Sequence, residues 1–279
     1  MRAMATPLEA LYEVHVTELE YQPGQLVSIY QPRGTGPFPT VLDVHGGAWI
    51  HGDRLNNADL NHWLAERGIL VAAIDFRMPP VASYPASIAD TNLGTRWLKA
   101  HATEYGGRAE RMGVLGTSSG GHVATLSAMR PRDPRYAALP GPGGADASVD
   151  YVIACWPILD PSARYEMAKR AGREQLVEAH NAYWGSTEAM SEGNPTHILR
   201  RGEAVETPPA LIIQGTADDN VNPAMLQPFV DAYRARGAPI HMEVFEGMVH
   251  AFAVRQPELP ETARARDLIL AFIREHAGS

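Results

Sequence analysis

From Thr40 onward, short apolar runs alternate with stretches long enough to be helices. The apolar runs are Thr40 to Val44, Gly68 to Ile74, Met112 to Leu115, Tyr151 to Trp156, Ala210 to Ile213 and His241 to Phe245. Helical spacing is read over Asp59 to Arg67, Pro85 to Tyr105, Gly120 to Met129, Pro223 to Arg236 and Pro260 to His276. Strands kept apart by helices join through crossovers, so they lie parallel. The expected fold class is α/β, a mostly parallel central sheet with helices on both faces. Ahead of it, Val14 to Tyr21 and Leu26 to Tyr30, closed by Pro32 and Gly34, read as an antiparallel hairpin. In such a sheet, functional residues gather on loops at the carboxyl ends of strands.

Two segments leave this rhythm. Pro131 to Ser148 is rich in Pro and Gly and reads as a surface loop. Pro157 to Glu206 is far longer than a crossover needs, and mixes Tyr165, Met167, Leu176, His180, Tyr183, Trp184 and Met190 with many charges. It reads as a small, mainly helical cap over the site; an enlarged crossover with no role there is the alternative. No repeat or linker divides the chain, so residues 1–279 are expected to form a single domain with 157–206 as an insertion.

A net charge of −8 argues against a nucleic-acid or anionic-membrane partner. The single cysteine, Cys155, leaves no intramolecular disulfide and no multi-cysteine zinc site. Within its apolar run it reads as a buried, inert thiol. Met1 to Leu11 carries charges and a proline and lacks the apolar core of a secretory leader. No apolar run approaches the ~20 residues of a membrane span. A cytoplasmic location is expected, and a homodimer is left open.

Gly116-Thr117-Ser118-Ser119-Gly120 sits between a strand-like and a helix-like run. That setting can hold a serine on a tight strand-to-helix turn with its hydroxyl exposed. A serine hydroxyl attacks only with a base to take its proton, a group to orient that base, and donors for the oxyanion. Ser118, framed by the glycines, is the expected nucleophile; Ser119 is a rival by residue type. The backbone N–H of Ser119 is the first expected oxyanion donor. His45-Gly46-Gly47-Ala48-Trp49 follows a buried strand, and the N–H groups of Gly46 and Gly47 are the next donors. Gly215-Thr216-Ala217-Asp218-Asp219 offers two carboxylates, of which Asp218 is chosen and Asp219 is the alternative. His250 lies in a loop after the last strand and is the expected base, while His45 and His122 are read as structural. Such a base must be neutral to act, which predicts activity rising from acid toward mildly alkaline pH. The order Ser118, Asp218, His250 is that of α/β-hydrolases and not that of the chymotrypsin or subtilisin folds.

On these residues the chain resembles the α/β-hydrolase superfamily. Within it, the chain is similar to the hormone-sensitive-lipase-related and feruloyl-esterase-like carboxylesterases, whose relatives include kynurenine formamidases. The resemblance runs from about Thr40 to the end. Besides the segments above it takes in Tyr84-Pro85-Ala86-Ser87-Ile88-Ala89-Asp90, Gly121-His122 and Tyr183-Trp184-Gly185. Two positions depart from it. Ala48 stands where many relatives have a third glycine, and Thr117 replaces an Asp common in the lipase-related branch. The resemblance implies a serine carboxylesterase for small to medium acyl esters, with no metal and no organic cofactor. Trp49 and Trp184 are the expected substrate-binding side chains. An arylformamidase or other amidase, or an aminopeptidase, would use the same three residues. A non-catalytic ligand-binding protein on this fold is the alternative from another class.

Overall fold

A computed structural model describes residues 11–278; the stretch read for a leader lies, except for Leu11, outside them. The strands are β1 (Val14–Gln22), β2 (Gln25–Pro32), β3 (Thr40–Val44), β4 (Leu70–Ile74), β5 (Gly113–Thr117), β6 (Tyr151–Cys155), β7 (Ala210–Gly215) and β8 (Ile240–Phe245). The helices are α1 (Ala58–Ala65), α2 (Ala86–His101), α3 (Ser119–Met129), α4 (Pro161–Arg170), α5 (Glu174–Trp184), α6 (Thr187–Glu192), α7 (Pro195–Arg200), α8 (Pro223–Arg234), α9 (Phe252–Arg255) and α10 (Pro260–Ala277). A 3₁₀ turn, Ala102–Tyr105, closes α2.

One eight-stranded sheet runs in the order β1-β2-β4-β3-β5-β6-β7-β8. β1 and β2 form the expected antiparallel hairpin, and β2 pairs antiparallel with β4. From β4 through β8 every pairing is parallel. Every residue of β3 to β7 is buried, because helices cover both faces. The two-residue period then sorts the side chains. Leu42, Val44, Leu70, Val114, Val152 and Ile212 pack with Leu93, Val123, Leu126 and Phe229, on the face of α2, α3 and α8. Val41, Val71, Leu115, Ile153, Leu211 and Ile213 pack with Leu60, Leu64, Ile269 and Ile273, on the face of α1 and α10.

This order has a consequence for the site. β3 pairs with β4 on one side and β5 on the other, so the chain leaves the sheet in opposite directions after these two strands. The crevice at such a reversal is where open α/β sheets place ligands. It brings the turn after β3 beside the turn after β5.

The interval 157–206 carries α4 to α7. Two of these helices, and α8 beyond them, begin with an Asx-Pro pair. Asp160, Asn194 and Asn222 accept from the backbone N–H of Ala163, His197 and Met225, and the proline that follows each needs no N–H partner. The segment 131–148 holds neither helix nor strand. Among the described residues no helix is long and apolar enough to cross a membrane.

Candidate active site

Ser118 sits between β5 and α3 at φ 53° and ψ −118°. A non-glycine residue holds such a backbone only when its surroundings fix it. Here the Ser118 N–H donates to Cys155 O at 2.9 Å, and Ser118 O accepts from Ile158 N–H at 3.2 Å. Glycine is required on the helix side. A Cβ at Gly120 would lie 2.1 Å from Val44 O and 2.3 Å from His45 O, both rigid backbone. That close approach presses the first turn of α3 against the end of β3, with Ser118 at its rim.

The hydroxyl of Ser118 lies 3.0 Å from His250 Nε2, and His250 Nδ1 lies 2.7 Å from Asp218 Oδ2. A carboxylate only accepts, so Nδ1 carries the ring proton and donates it, leaving Nε2 to accept from the serine hydroxyl. Asp218 is buried, and its carboxylate is held by further donors. Oδ1 accepts from the N–H groups of Asn220 (2.9 Å) and Val221 (2.8 Å), and Oδ2 from Gln214 Nε2 at 3.0 Å. Asp219 points outward and pairs with Arg173. His250 is followed by Ala251, which at φ 62° turns the chain into α9. A hydroxyl facing an imidazole that is anchored on a buried carboxylate can give up its proton as it attacks a carbonyl.

The turn after β3 lies opposite. Gly47 adopts φ 124°, a conformation open to glycine, and a Cβ there would lie 1.7 Å from His51 O. Among the described residues the N–H groups of Gly46, Gly47 and Ser119 carry no acceptor. Gly46 and Gly47 line the cavity with Ser118; Ser119 is fully buried, and its hydroxyl accepts from the Trp49 N–H at 3.1 Å. Among the described residues the rival serine's hydroxyl bonds no imidazole. His45 is buried against Phe76 with its Nδ1 2.6 Å from Gly46 O, and burial lowers its pKa.

A buried polar network supports both turns. Asn57 Nδ2 and Asn61 Nδ2 donate to the Asp43 carboxylate at 2.9 and 2.7 Å, and Thr117 Oγ lies 3.3 Å from Asn57 Oδ1. Burial pushes the Asp43 carboxyl up to about 6, against the pull of the two amides. Thr117 and Asn57 reach the cavity wall, so β3, α1 and β5 are tied together directly behind Ser118.

The cavity at Ser118 has a volume of about 410 Å³. The expectation that Trp49 and Trp184 bind substrate is corrected by their placement. Both are buried, and neither lies on its wall. Ala48 (φ 53°) and Trp49 (φ 65°) reverse the chain and turn the indole inward. There it stacks on Tyr183 at 5.1 Å and donates from Nε1 to His122 Nδ1 at 3.1 Å. His122 in turn donates from Nε2 to Gly193 O at 2.9 Å, and burial pulls its pKa down to about 4. Trp184 packs in the same cluster against Tyr84. The walls are instead formed in part by Trp156, Arg164, Leu176 and Asn220; Leu176 had been placed in the cap, and none had been assigned to substrate binding. Of these only Trp156, at the carboxyl end of β6, carried a usable signal.

Residues 27–231 match the BD-FAE family, which is well over half of the chain. The probable carboxylic ester hydrolase LipM of Mycobacterium tuberculosis is 31% identical over 254 residues, covering 88% of this chain and 57% of LipM. The chain thus spans little more than half the length of the curated relatives it matches first. Among solved structures, a C6-C4 SN3-inhibited esterase B from Lactobacillus rhamnosis superposes with a TM-score of 0.81 at 23% identity, covering 95% of this chain and 87% of that one. The propionate-bound thermophilic esterase Est2 of the Planctomycetes species Thermogutta terrifontis gives a TM-score of 0.71 at 25% identity, covering 96% of both chains. With its α/β-hydrolase sheet order and this match, the chain belongs to the BD-FAE family.

Proposed function

We propose that the protein is a serine carboxylesterase hydrolysing small to medium acyl esters through an acyl-enzyme. Ser118 Oγ attacks the ester carbonyl carbon while its proton passes to His250 Nε2. Asp218 holds the imidazole in the acting tautomer and stabilises the imidazolium. The carbonyl oxygen becomes an oxyanion, received by the N–H groups of Gly46, Gly47 and Ser119 at the positive end of α3. Collapse of the intermediate breaks the bond to the alcohol oxygen, which leaves with the proton from His250. Water then attacks the acyl-Ser118 carbonyl, giving its proton to His250. The acid departs and Ser118 regains its hydrogen.

The observation that carries this reading is the single imidazole bridging Ser118 Oγ and Asp218, at 3.0 and 2.7 Å. The names of LipM and Est2, an ester hydrolase and an esterase, support it. Residues 157–206 act as the cap, a reading supported by Arg164 and Leu176 reaching the cavity wall from α4 and α5. A small-molecule ester in the cytoplasm is the accompanying setting.

The test is turnover of p-nitrophenyl acetate and butyrate by the parent and by Ser118→Ala. The substitution should lower kcat by roughly 10³-fold or more with the fold intact. Near-parental turnover in the folded variant overturns the reading.

A further inference from the structure

Among the described residues two arginines are buried, Arg164 and Arg266, and they differ in their partners. Arg266 on α10 pairs with the Asp59 carboxylate. Arg164 on α4 is only 1% exposed, yet among the described residues it meets no carboxylate. Its Nε and Nη2 donate to Asn220 Oδ1 at 2.9 and 2.7 Å, and its Nη1 to His180 Nε2 at 2.9 Å. Burial and the Arg164 charge pull the His180 pKa down to about 2, so the imidazole is a neutral acceptor. Each terminal nitrogen of a guanidinium carries two N–H groups, so one on each remains without a partner. Burial draws the Arg164 pKa down only to about 10, which leaves the charge in place at neutral pH. A buried charge with no direct ion-pair partner is costly to keep.

The cavity supplies the second observation. Arg164 lies on its wall together with Ser118, and the exposed Arg255 lines it as well. No side-chain bond from Arg255 to a carboxylate is found among the described residues. No Asp or Glu lines this cavity, in a chain whose net charge is −8. The adjoining groove holds Asp219, which pairs with Arg173, and the exposed Glu174, which lies outside the cavity lining. Asp218 favours the Arg164 charge through space, but among the described residues it makes no direct bond to the guanidinium and accepts from His250 instead.

Resting on the esterase reading above, we propose that the substrate ester carries a second group, a carboxylate, which binds the free Nη N–H groups of Arg164. A planar guanidinium presenting two parallel N–H groups matches a carboxylate in geometry and charge. Arg255 adds positive potential on the same wall. The substrate class is therefore a carboxylate-bearing ester, such as the half-ester of a dicarboxylic acid or an ester of a hydroxy acid. Hydrolysis of the half-ester yields a dianion and a neutral alcohol, and hydrolysis of the hydroxy-acid ester yields two monoanions. The reaction that supplies the substrate must esterify a single function of a bifunctional acid.

Four esters test this in a pH-stat on the full chain. Monoethyl adipate is compared with its neutral counterpart ethyl hexanoate, which places the carboxylate on the acyl side. The 4-acetoxybenzoate anion is compared with 4-methylphenyl acetate, which places it on the alcohol side. At least one charged ester should exceed its neutral twin by about tenfold or more in kcat/KM, mainly through KM, and the arm that does so identifies which side Arg164 reads. Arg164→Met should erase that preference by lowering kcat/KM far more for the charged ester than for its neutral twin, and Arg164→Lys should retain part of it. A parent enzyme that prefers both neutral esters overturns the proposal, and needs no variant to do so. Equal losses on charged and neutral esters in a folded Arg164→Met also overturn it, by making Arg164 a support for the Asn220 loop alone. Failure to hydrolyse any of the four sinks the esterase reading instead.

Discussion

Asp218 and Asp219 are adjacent in the chain but face opposite surroundings. The Asp218 carboxylate is fully buried, 2.7 Å from His250 Nδ1, whereas that of Asp219 is 75% exposed and 2.6 Å from Arg173. Asp218→Asn would place an amide where the imidazole N–H needs a charged acceptor, and so favour the wrong tautomer. It should lower kcat by roughly 10³- to 10⁴-fold. Asp219→Asn removes one exposed ion pair and should stay within about threefold of the parent. Steady-state rates on p-nitrophenyl butyrate check both, and equal losses would contradict the assignment.

The turn holding Ser118 depends on the absence of a side chain at Gly120. Gly120→Ala must displace the carbonyls of Val44 and His45, and should cost about 3 kcal/mol along with most of the activity. Gly143→Ala, in open space in the 131–148 loop, should stay within about 0.5 kcal/mol. Urea unfolding of the two variants side by side gives the comparison. A Gly120→Ala as stable and active as Gly143→Ala would refute the packing argument.

Trp49 is placed to hold the fold and not the substrate. Trp49→Phe keeps the stack on Tyr183 but strips the donor from His122 Nδ1, leaving a buried acceptor unpaired. It should cost about 2 kcal/mol of stability, with KM for butyryl esters moved by no more than about twofold. A large rise in KM at unchanged stability would restore the indole to the substrate site.

Asp43 predicts a pH effect on stability. Its carboxyl is raised by burial from the ordinary 3.8 to about 6 in the folded chain. The folded state therefore favours the protonated form. The stability this gives is fully present below about pH 4 and is lost as pH rises through about 6, on the order of 3 kcal/mol in total. Asp43→Asn cannot titrate. Asn61 Oδ1, which has no partner among the described residues, can turn to accept from the new amide. The variant should gain on the parent by about that amount between pH 4 and 7. Urea midpoints across this range measure it, and a constant difference would contradict the account.

Much of the sheet was legible because parallel strands buried on both faces must be continuous apolar runs. Thr40 to Val44 matches β3 in full, and β6 and β8 fall within a residue of their expected bounds. α9 was not foreseen; four residues carry too little periodicity, and a left-handed Ala251 starts it. Ser118, Asp218 and His250 could be read from their order, since each follows a strand and the fold gathers strand ends on one rim. The direction of Trp49 could not, because it depends on backbone angles that the residue types do not announce. Arg164 gave no signal at all. α4 carries several charged residues, and only the packing of α4 against Asn220 and His180 decides which one is buried.

The central claim is that Ser118 becomes acylated with His250 as its base. Intact-mass and peptide-level mass spectrometry after treatment with a fluorophosphonate tests it most directly. The account predicts one adduct per chain, on the peptide containing Ser118, formed much more slowly in His250→Gln. An adduct elsewhere, or undiminished ester turnover with Ser118 unmodified, would contradict it.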